Sequence, residues 1–409
     1  MKLSPPLTLA RSVLLAGALL AGLGSSGTVL AAAPKSLPTC QVIFDAGSSG
    51  TRLAVFVRKG RDWEEHLGPK VSALADPVRE IRGRHHADMQ AVNTEVANAL
   101  DAIRHDGPKD DKGEPEWQGF DWASQCWVEG AQIFATAGMR LAEQEHPALS
   151  AALWSDVRQR LSDRLQDRLG RTVPVEARTL TGFEEGLYAW LAVRQERKGR
   201  SDFGIAEMGG ASSQVTFPCK RCEASDDATR MVKVDGKSMR IYSYSFLGLG
   251  QDEAPHTLGV APSCAYGAGV DHPGWKALDC ASTLALQDAT QSIVDPYNFE
   301  HGQRGSHRRI PTERADSPRW FLTGSFNYMN PNDVNTNCLG RGKYVGEEAV
   351  ACFRPIYLQR YLQALHIPVT APRAASSWTL GAVICSANQC LRQSPPPLCR
   401  WSAQGCLQP

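Results

Sequence analysis

The 409-residue chain carries almost no net charge. Its formal balance is +1, and taking away Lys2 and Arg11 near the start leaves −1. Without a basic field there is no electrostatic footprint for nucleic acid, so positive potential for an anionic ligand has to be local. Long apolar runs are also missing. Beyond the N-terminal region, no segment reaches the roughly eighteen consecutive apolar residues of a membrane helix. No Cys/His group has zinc-site spacing. No Ser-His-Asp set is apparent, so the serines read as hydrogen-bond donors rather than nucleophiles.

What the start of the chain does contain fits an export signal. Lys2 and Arg11 supply positive charge, Val13 to Leu23 is an apolar stretch too short to span a bilayer, and Ala31-Ala32-Ala33 offers a small-residue cleavage region. We therefore expect a Sec-type signal over residues 1–33 and a periplasmic or secreted mature chain with no stable membrane span. The competing reading is an uncleaved N-terminal anchor. All 12 cysteines follow this segment, an even number that suits disulfides in an oxidising compartment. Close pairs are Cys219 with Cys222, Cys264 with Cys280, Cys338 with Cys352, and Cys385 with Cys390. Cys219-Lys220-Arg221-Cys222 could also be redox-active or half of a zinc site, but in an exported chain a local disulfide is the better reading.

Two short turns carry the chemistry. Asp45-Ala46-Gly47-Ser48-Ser49-Gly50-Thr51 follows the apolar run Val42-Ile43-Phe44, and Glu207-Met208-Gly209-Gly210-Ala211-Ser212-Ser213-Gln214 comes 162 residues later. Each is an acidic residue at a strand end followed by glycine and serine. Small residues let backbone N–H groups approach an anion, and serine hydroxyls add donors. A carboxylate cannot bind phosphate itself, so Asp45 and Glu207 imply a divalent cation, Mg²⁺ or Ca²⁺, held through water between protein and substrate. Ser48, Ser49, Gly50 and Thr51 would cradle one phosphate, and Gly209, Gly210, Ala211 and Ser212 its neighbour. Together these features describe a metal-dependent enzyme acting on phosphate anhydrides.

The surrounding pattern is α/β. Cys40 to Val57 reads as strand, turn, strand. Asp88 caps a helix with Met89, Val92, Val96, Leu100 and Ile103 on one face. Asp106 to Gly119 is a loop rich in breakers and charge. Val128 to Ala135 is a strand, from which Thr136-Ala137-Gly138-Met139-Arg140 turns into a helix. Leu153, Val157, Leu161, Leu165 and Leu169 mark a long helix that Gly170 can end. Its Arg158, Arg160, Arg164 and Arg168 read as a solvated face. A strand over Val173 to Ala177 precedes a helix opened by Glu184 and Glu185. Gly204-Ile205-Ala206 leads into the second turn and Val215-Thr216-Phe217 leaves it, which suggests an internal duplication. His301 to Arg314 reads as a basic connector, a helix is expected within Arg341 to Leu365, and Pro395-Pro396-Pro397 with the last two cysteines suggests a stapled tail.

With these turns in place, the chain resembles the ecto-nucleoside triphosphate diphosphohydrolases, or apyrases. Asp45 to Thr51, Thr136 to Leu141, Thr181 to Trp190, Glu207 to Gln214 and Trp378 to Ala382 resemble the five apyrase regions in order. Tyr244 to Gly250 and Phe321 to Tyr328 are similar as well. The resemblance implies an α/β fold of two actin-like (ribonuclease H-like) domains with the active site in the cleft between them. Domain I would comprise 38–178 plus 376–409, and domain II 179–375. It further implies hydrolysis of nucleoside tri- and diphosphates with Mg²⁺ or Ca²⁺. Two positions depart from the family pattern. Glu207 stands where Asp is usual, which shifts the carboxylate by about one C–C bond, and Ser213 stands where Thr is commoner.

The resemblance also implies roles. Glu185 matches the catalytic glutamate and would be the general base, ionised at neutral pH from a reference pKa of about 4.3. Glu184 is the adjacent rival, but successive helical residues point about 100° apart, so only one should face the attacking water. Gln214 would hold that water beside Glu185, and Thr136 would contact the water or the metal shell, unless it is merely a strand-end cap. Arg52 could meet a phosphate. Tyr328, Phe326 and Trp378 are candidates to stack on the base, with core packing as the alternative. The runner-up function is an exopolyphosphatase-like hydrolase, followed by an actin-like kinase and a degenerate nucleotide-binding protein.

Overall fold

The computed structural model describes residues 37–79, 87–101, 120–297, 306–329, 333–340, 350–391, 400–402 and 405–407. The expected signal over 1–33, the loop over 106–119 and the prolines of the expected stapled tail lie outside the described residues. Among those described, no helix is long and apolar enough to cross a membrane.

Two five-stranded sheets organise the chain. In the first, β1 (Thr39–Gly47), β2 (Gly50–Lys59) and β3 (Asp62–Val71) form an antiparallel meander, while β4 (Trp127–Ala135) and β5 (Val175–Thr179) add parallel strands on the other side of β1, giving the order β3-β2-β1-β4-β5. In the second, β6 (Gly204–Met208) and β7 (Ser212–Pro218) form a hairpin. It is extended by β9 (Lys237–Leu247) and β8 (Thr229–Val234) on one side and by the parallel β12 (Trp320–Gly324) on the other. Strands β10 (Ile293–Asp295) and β11 (Ser306–Arg308) form a small separate ribbon. The expected duplication is visible in the two hairpins. Each has an acidic first strand, a Gly/Ser turn, an antiparallel return strand and a parallel neighbour behind the first strand. Asp45 sits opposite Arg52 in one and Glu207 opposite Gln214 in the other.

The sheets share a middle layer made of helices Gly182–Glu196 and Trp378–Asn388. One continuous apolar core joins Ile43, Phe56 and Phe134 of the first sheet, Leu187 and Trp190 of one helix, Val383 of the other, and Ile205 and Ile241 of the second sheet. The helices cross so closely that a Cβ on Gly381 would fall 1.8 Å from the Tyr188 carbonyl oxygen. Helices Met89–Asn98 and Pro147–Leu169 cover the outer face of the first sheet, and Phe353–Ala364 packs in the outer core of the second.

Local signals were followed closely. Asp88 accepts a hydrogen bond from the Ala91 N–H, and Gly170 ends its helix in the left-handed conformation. The strand expected over Val173 to Ala177 begins two residues later, after Pro174, which has no N–H to give a ladder. The arginine face of the long helix is not simply solvated. Arg164 and Arg168 both clasp Asp101, and Arg158 donates to the Ala177 carbonyl at 2.9 Å. All four close cysteine pairs are disulfides, and a fifth joins Cys40 to Cys126. That last pair follows from the parallel register of β1 and β4, which sets Thr39 beside Trp127.

Because the obstacle at Gly381 is backbone, Gly381→Ala must push the two central helices apart. Overpacking of this kind costs about 1–3 kcal/mol. We expect a loss at the upper end of that range, read as a lower urea midpoint at unchanged m-value.

Candidate active site

The helix Gly182–Glu196 sets the geometry. Thr181 caps it: its hydroxyl accepts from the Glu184 N–H at 3.2 Å, and the Glu184 carboxylate accepts from the Thr181 N–H at 2.9 Å. Arg178 grips the same carboxylate at 2.8 and 3.0 Å. Glu184 is thus spent on the cap, and the next residue, one helical step round, turns to the opposite side. Glu185 lines a cavity of about 590 Å³. Its helix lies directly on the second sheet because residue 186 is glycine: a Cβ there would meet Ser243 Oγ at 2.3 Å and Thr216 Oγ1 at 2.4 Å.

Both Gly/Ser turns open on this cavity. Asp45, Ser48, Ser49 and Gly50 line it from one side, Glu207, Gly209, Gly210, Ala211 and Ser212 from the other, with Thr136 between them. The turns approach so closely that a Cβ on Gly210 would fall 2.3 Å from Ser48 Oγ. Gly209 contributes shape rather than a free donor, since its N–H is bonded to the Ser212 carbonyl at 2.9 Å. Thr136 precedes a helix without capping it through its side chain.

Two expected residues sit just behind the wall. Thr51 is fully buried, and its hydroxyl has no partner among the described residues. Gln214 is fully buried as well. Its Nε2 donates to Ser212 Oγ at 2.6 Å and Ser245 Oγ at 3.0 Å, while its Oε1 is unpartnered among the described residues. Tyr328 stands at the cavity mouth, 86% exposed, and Trp378 lines the wall at 8% exposure. Phe326 is fully buried in the outer core of the second sheet, so it cannot stack on a ligand in the cavity.

One residue central to this arrangement had no assigned role in the sequence. Arg140 forms an ion pair with Glu185 and donates to Ser212 Oγ at 3.0 Å and Ser245 Oγ at 3.1 Å. Its signal was its place four residues after Thr136, on the same helix face. Thr323 was also missed. It lies beside Glu207 in the parallel register of β12 and β6, lines the cavity, and carries a buried hydroxyl unpartnered among the described residues.

Two buried carboxylates, Glu185 and Glu207, and the half-buried Asp45 therefore share one cavity wall. Burial pushes Asp45 up to about 7 with help from the Glu185 charge, while Arg52 and Lys70 act the other way. Burial also raises Glu185, opposed by Arg140 and by the Ser212 hydrogen bond. Glu207 is raised most clearly, by burial and then by the charges of Glu185 and Asp45. A carboxylate pKa raised on folding favours the native state below the unfolded value of 3.8, and this contribution is lost as pH rises through the folded value near 7. The metal-free protein should therefore have a Tm that falls between about pH 4 and 7, and Mg²⁺ should raise Tm more at pH 8 than at pH 5. Calorimetry with chelator or with Mg²⁺ checks both, and a metal-free Tm that climbs across that interval would contradict the electrostatics.

Comparison with known proteins agrees with this geometry. Residues 124–259 match the GDA1/CD39 (nucleoside phosphatase) family. Human ectonucleoside triphosphate diphosphohydrolase 2 is 27% identical over 342 residues, which cover 76% of this chain and 63% of the relative. Probable apyrase 4 of Arabidopsis thaliana is 30% identical over 234 residues, 53% of this chain and 40% of the relative. The chain spans about half the length of the curated relatives it matches. A nucleoside triphosphate hydrolase of Neospora caninum superposes on 85% of this chain and 92% of its own, with a TM-score of 0.50 at 15% identity. That likeness carries the fold alone: mixed α/β with two five-stranded sheets in an actin-like arrangement. The motifs, the fold and the matched segment converge on one likeness: over residues 124–259 the chain is similar to the GDA1/CD39 (nucleoside phosphatase) family.

Proposed function

We propose that this chain is an exported apyrase that hydrolyses the terminal phosphates of nucleoside tri- and diphosphates. The observation that carries the proposal is the contact of the two Gly/Ser turns, Gly210 against Ser48, over a cavity whose wall holds Glu185. Two adjacent anion cradles suit two adjacent phosphates. A single carboxylate freed from capping suits deprotonation of water. Five disulfides among the described residues favour an oxidising compartment. We also propose two domains, 38–178 with 376–409 and 179–375, because helix Trp378–Asn388 returns to β1 and β2.

The donor set suits a hard divalent cation. Every candidate group is oxygen, the Glu207 Oε2 is buried and unpartnered among the described residues, and the three carboxylates repel one another. Among the described residues no three His, Cys, Asp or Glu side chains converge as direct ligands, so Asp45 and Glu207 would hold Mg²⁺ or Ca²⁺ through its waters. When bound, the ion supplies charge neutralisation at the phosphate oxygens.

The protein residues divide the remaining work. Ser48, Ser49 and Gly50 seat one phosphate and Gly210, Ala211 and Ser212 the other, fixing the phosphorus in line with the attacking water. The Gln214 Oε1 and the Thr136 hydroxyl orient that water. Glu185 accepts its proton as the new P–O bond forms and the bridging P–O bond breaks, leaving the electron pair on the departing phosphate oxygen. Arg140 keeps Glu185 ionised despite burial and fixes its rotamer. Trp378 and Tyr328 flank the cavity where a base would stack.

Phosphate release from ATP, ADP, GTP, GDP, UTP and UDP, with and without chelator, tests the proposal. Activity on both tri- and diphosphates, lost on chelation, is expected. Release from long polyphosphate but not from nucleotides would favour the exopolyphosphatase reading instead. Glu185→Gln should lower kcat by about 10²-fold or more with nucleotide affinity largely intact. Normal turnover in that variant would remove Glu185 as the base.

A further inference from the structure

Strand β3 brings a cation to the first phosphate turn that no motif announced. Lys70 stands opposite Arg52 in the register of β2 and β3, and both side chains line the cavity. Like charges directly opposite on neighbouring strands are destabilising. Neither makes an ion pair with a carboxylate among the described residues; the nearby charge of Asp45 attracts both, and that of Glu65 attracts Arg52.

Lys70 is not a loose surface lysine. Its Nζ lies 3.3 Å from the Ser49 Oγ. Its stem passes over Gly50, where a Cβ would fall 2.3 Å from Lys70 Cε and 2.9 Å from the Val71 carbonyl. Gly50 also has φ +154°, a backbone conformation closed to most side chains. The missing side chain at residue 50 is thus what lets Lys70 lie across the turn. An ammonium has three donors; one reaches Ser49 and the others are left for an anion seated on Ser48–Gly50.

We propose that Lys70 is a substrate-binding residue whose ammonium contacts a non-bridging oxygen of the phosphate held by the first turn, with Arg52 completing a two-cation rim. The proposal rests on the phosphoanhydride reading of the site. It makes the rim a charge-selective element: affinity for the phosphate chain depends on the Lys70 charge, and the chemical step on Glu185.

Three variants separate charge from packing. Lys70→Gln keeps a donor without the charge, Lys70→Arg keeps the charge, and Lys70→Met keeps only the stem. Binding of pyrophosphate, titrated calorimetrically with Mg²⁺ at several salt concentrations, is read beside kcat and KM for ATP. A charge-assisted hydrogen bond is worth about 1.5–3 kcal/mol, or roughly 10- to 100-fold. We expect Lys70→Gln and Lys70→Met to raise KM and weaken pyrophosphate binding by about tenfold or more, with kcat within about threefold and a shallower salt dependence. Lys70→Arg should stay within about threefold of the parent. Unchanged KM and pyrophosphate affinity in Lys70→Gln would overturn the proposal, as would equal losses in all three variants, which point to packing of the stem. If the parent protein releases phosphate from no nucleotide, the apyrase reading fails, and the pyrophosphate titration still decides the role of Lys70.

Discussion

The folded chain confines three carboxylates, Asp45, Glu185 and Glu207, within one small cavity, with Arg140 as their one direct cationic partner among the described residues. Burial disfavours the charged form of each, and their mutual repulsion adds to it. Such a cluster persists only if the surrounding structure is too rigid to let the groups separate, or if a cation enters. Both conditions bear on function. On the proposed function, rigidity would keep the groups in place between turnovers, and the negative potential would draw in a divalent ion carrying phosphate.

Rigidity comes from glycine positions that let backbone press against backbone. Gly381 brings the second central helix onto Tyr188, and Gly250 backs the second turn, where a Cβ would fall 2.3 Å from Gly210 and Ala211 backbone atoms. At Gly186 the close neighbours are the Ser243 and Thr216 hydroxyls, which seat the Glu185 helix on its sheet. These contacts link the middle helical layer to both sheets, so the two turns and Glu185, the proposed general base, belong to one packed unit. The duplicated hairpin supplies matched cradles, and the helices between the sheets supply the asymmetry. Among the described residues one helix opens at the cavity with a capping box, and its first turn carries Glu185.

Much of this was legible in the sequence because the signals were local. The two Gly/Ser turns, the caps at Asp88 and Gly170, the leucine repeat of the long helix and the four short-range cysteine pairs each depend on neighbours a few residues apart. The choice of Glu185 over Glu184 came from the family resemblance, since helical geometry says only that one of the pair faces the cavity; the capping role of Glu184 is what leaves Glu185 to do so. What stayed hidden depends on register. The Cys40–Cys126 bond, the Lys70–Arg52 pairing and the position of Thr323 beside Glu207 each join segments far apart in the chain through strand alignment. Strand β3 lacks the alternation that would have marked it, since half of its residues are exposed and one alone is buried. Phe326, for which stacking and core packing were both open, lies in the core. An aromatic beside a motif looks the same in sequence whether it faces a ligand or the core.

The departure at Glu207 can be understood in the same terms. A longer carboxylate in place of Asp would be expected to intrude further between the turns. Here the extra methylene is taken up sideways: Glu207 Oε1 lies 3.2 Å from the point a Gly324 Cβ would occupy, toward β12. Gly324 has φ +64°, and a Cβ there would also strike the Met208 carbonyl at 2.4 Å, so the backbone itself holds this space open. The unpartnered Thr323 hydroxyl beside it supplies a polar group on the same strand. The second turn thereby keeps its approach to Ser48 while its acidic residue is one bond longer, and on the proposed function the substitution would change how a hydrated ion is held rather than remove the site.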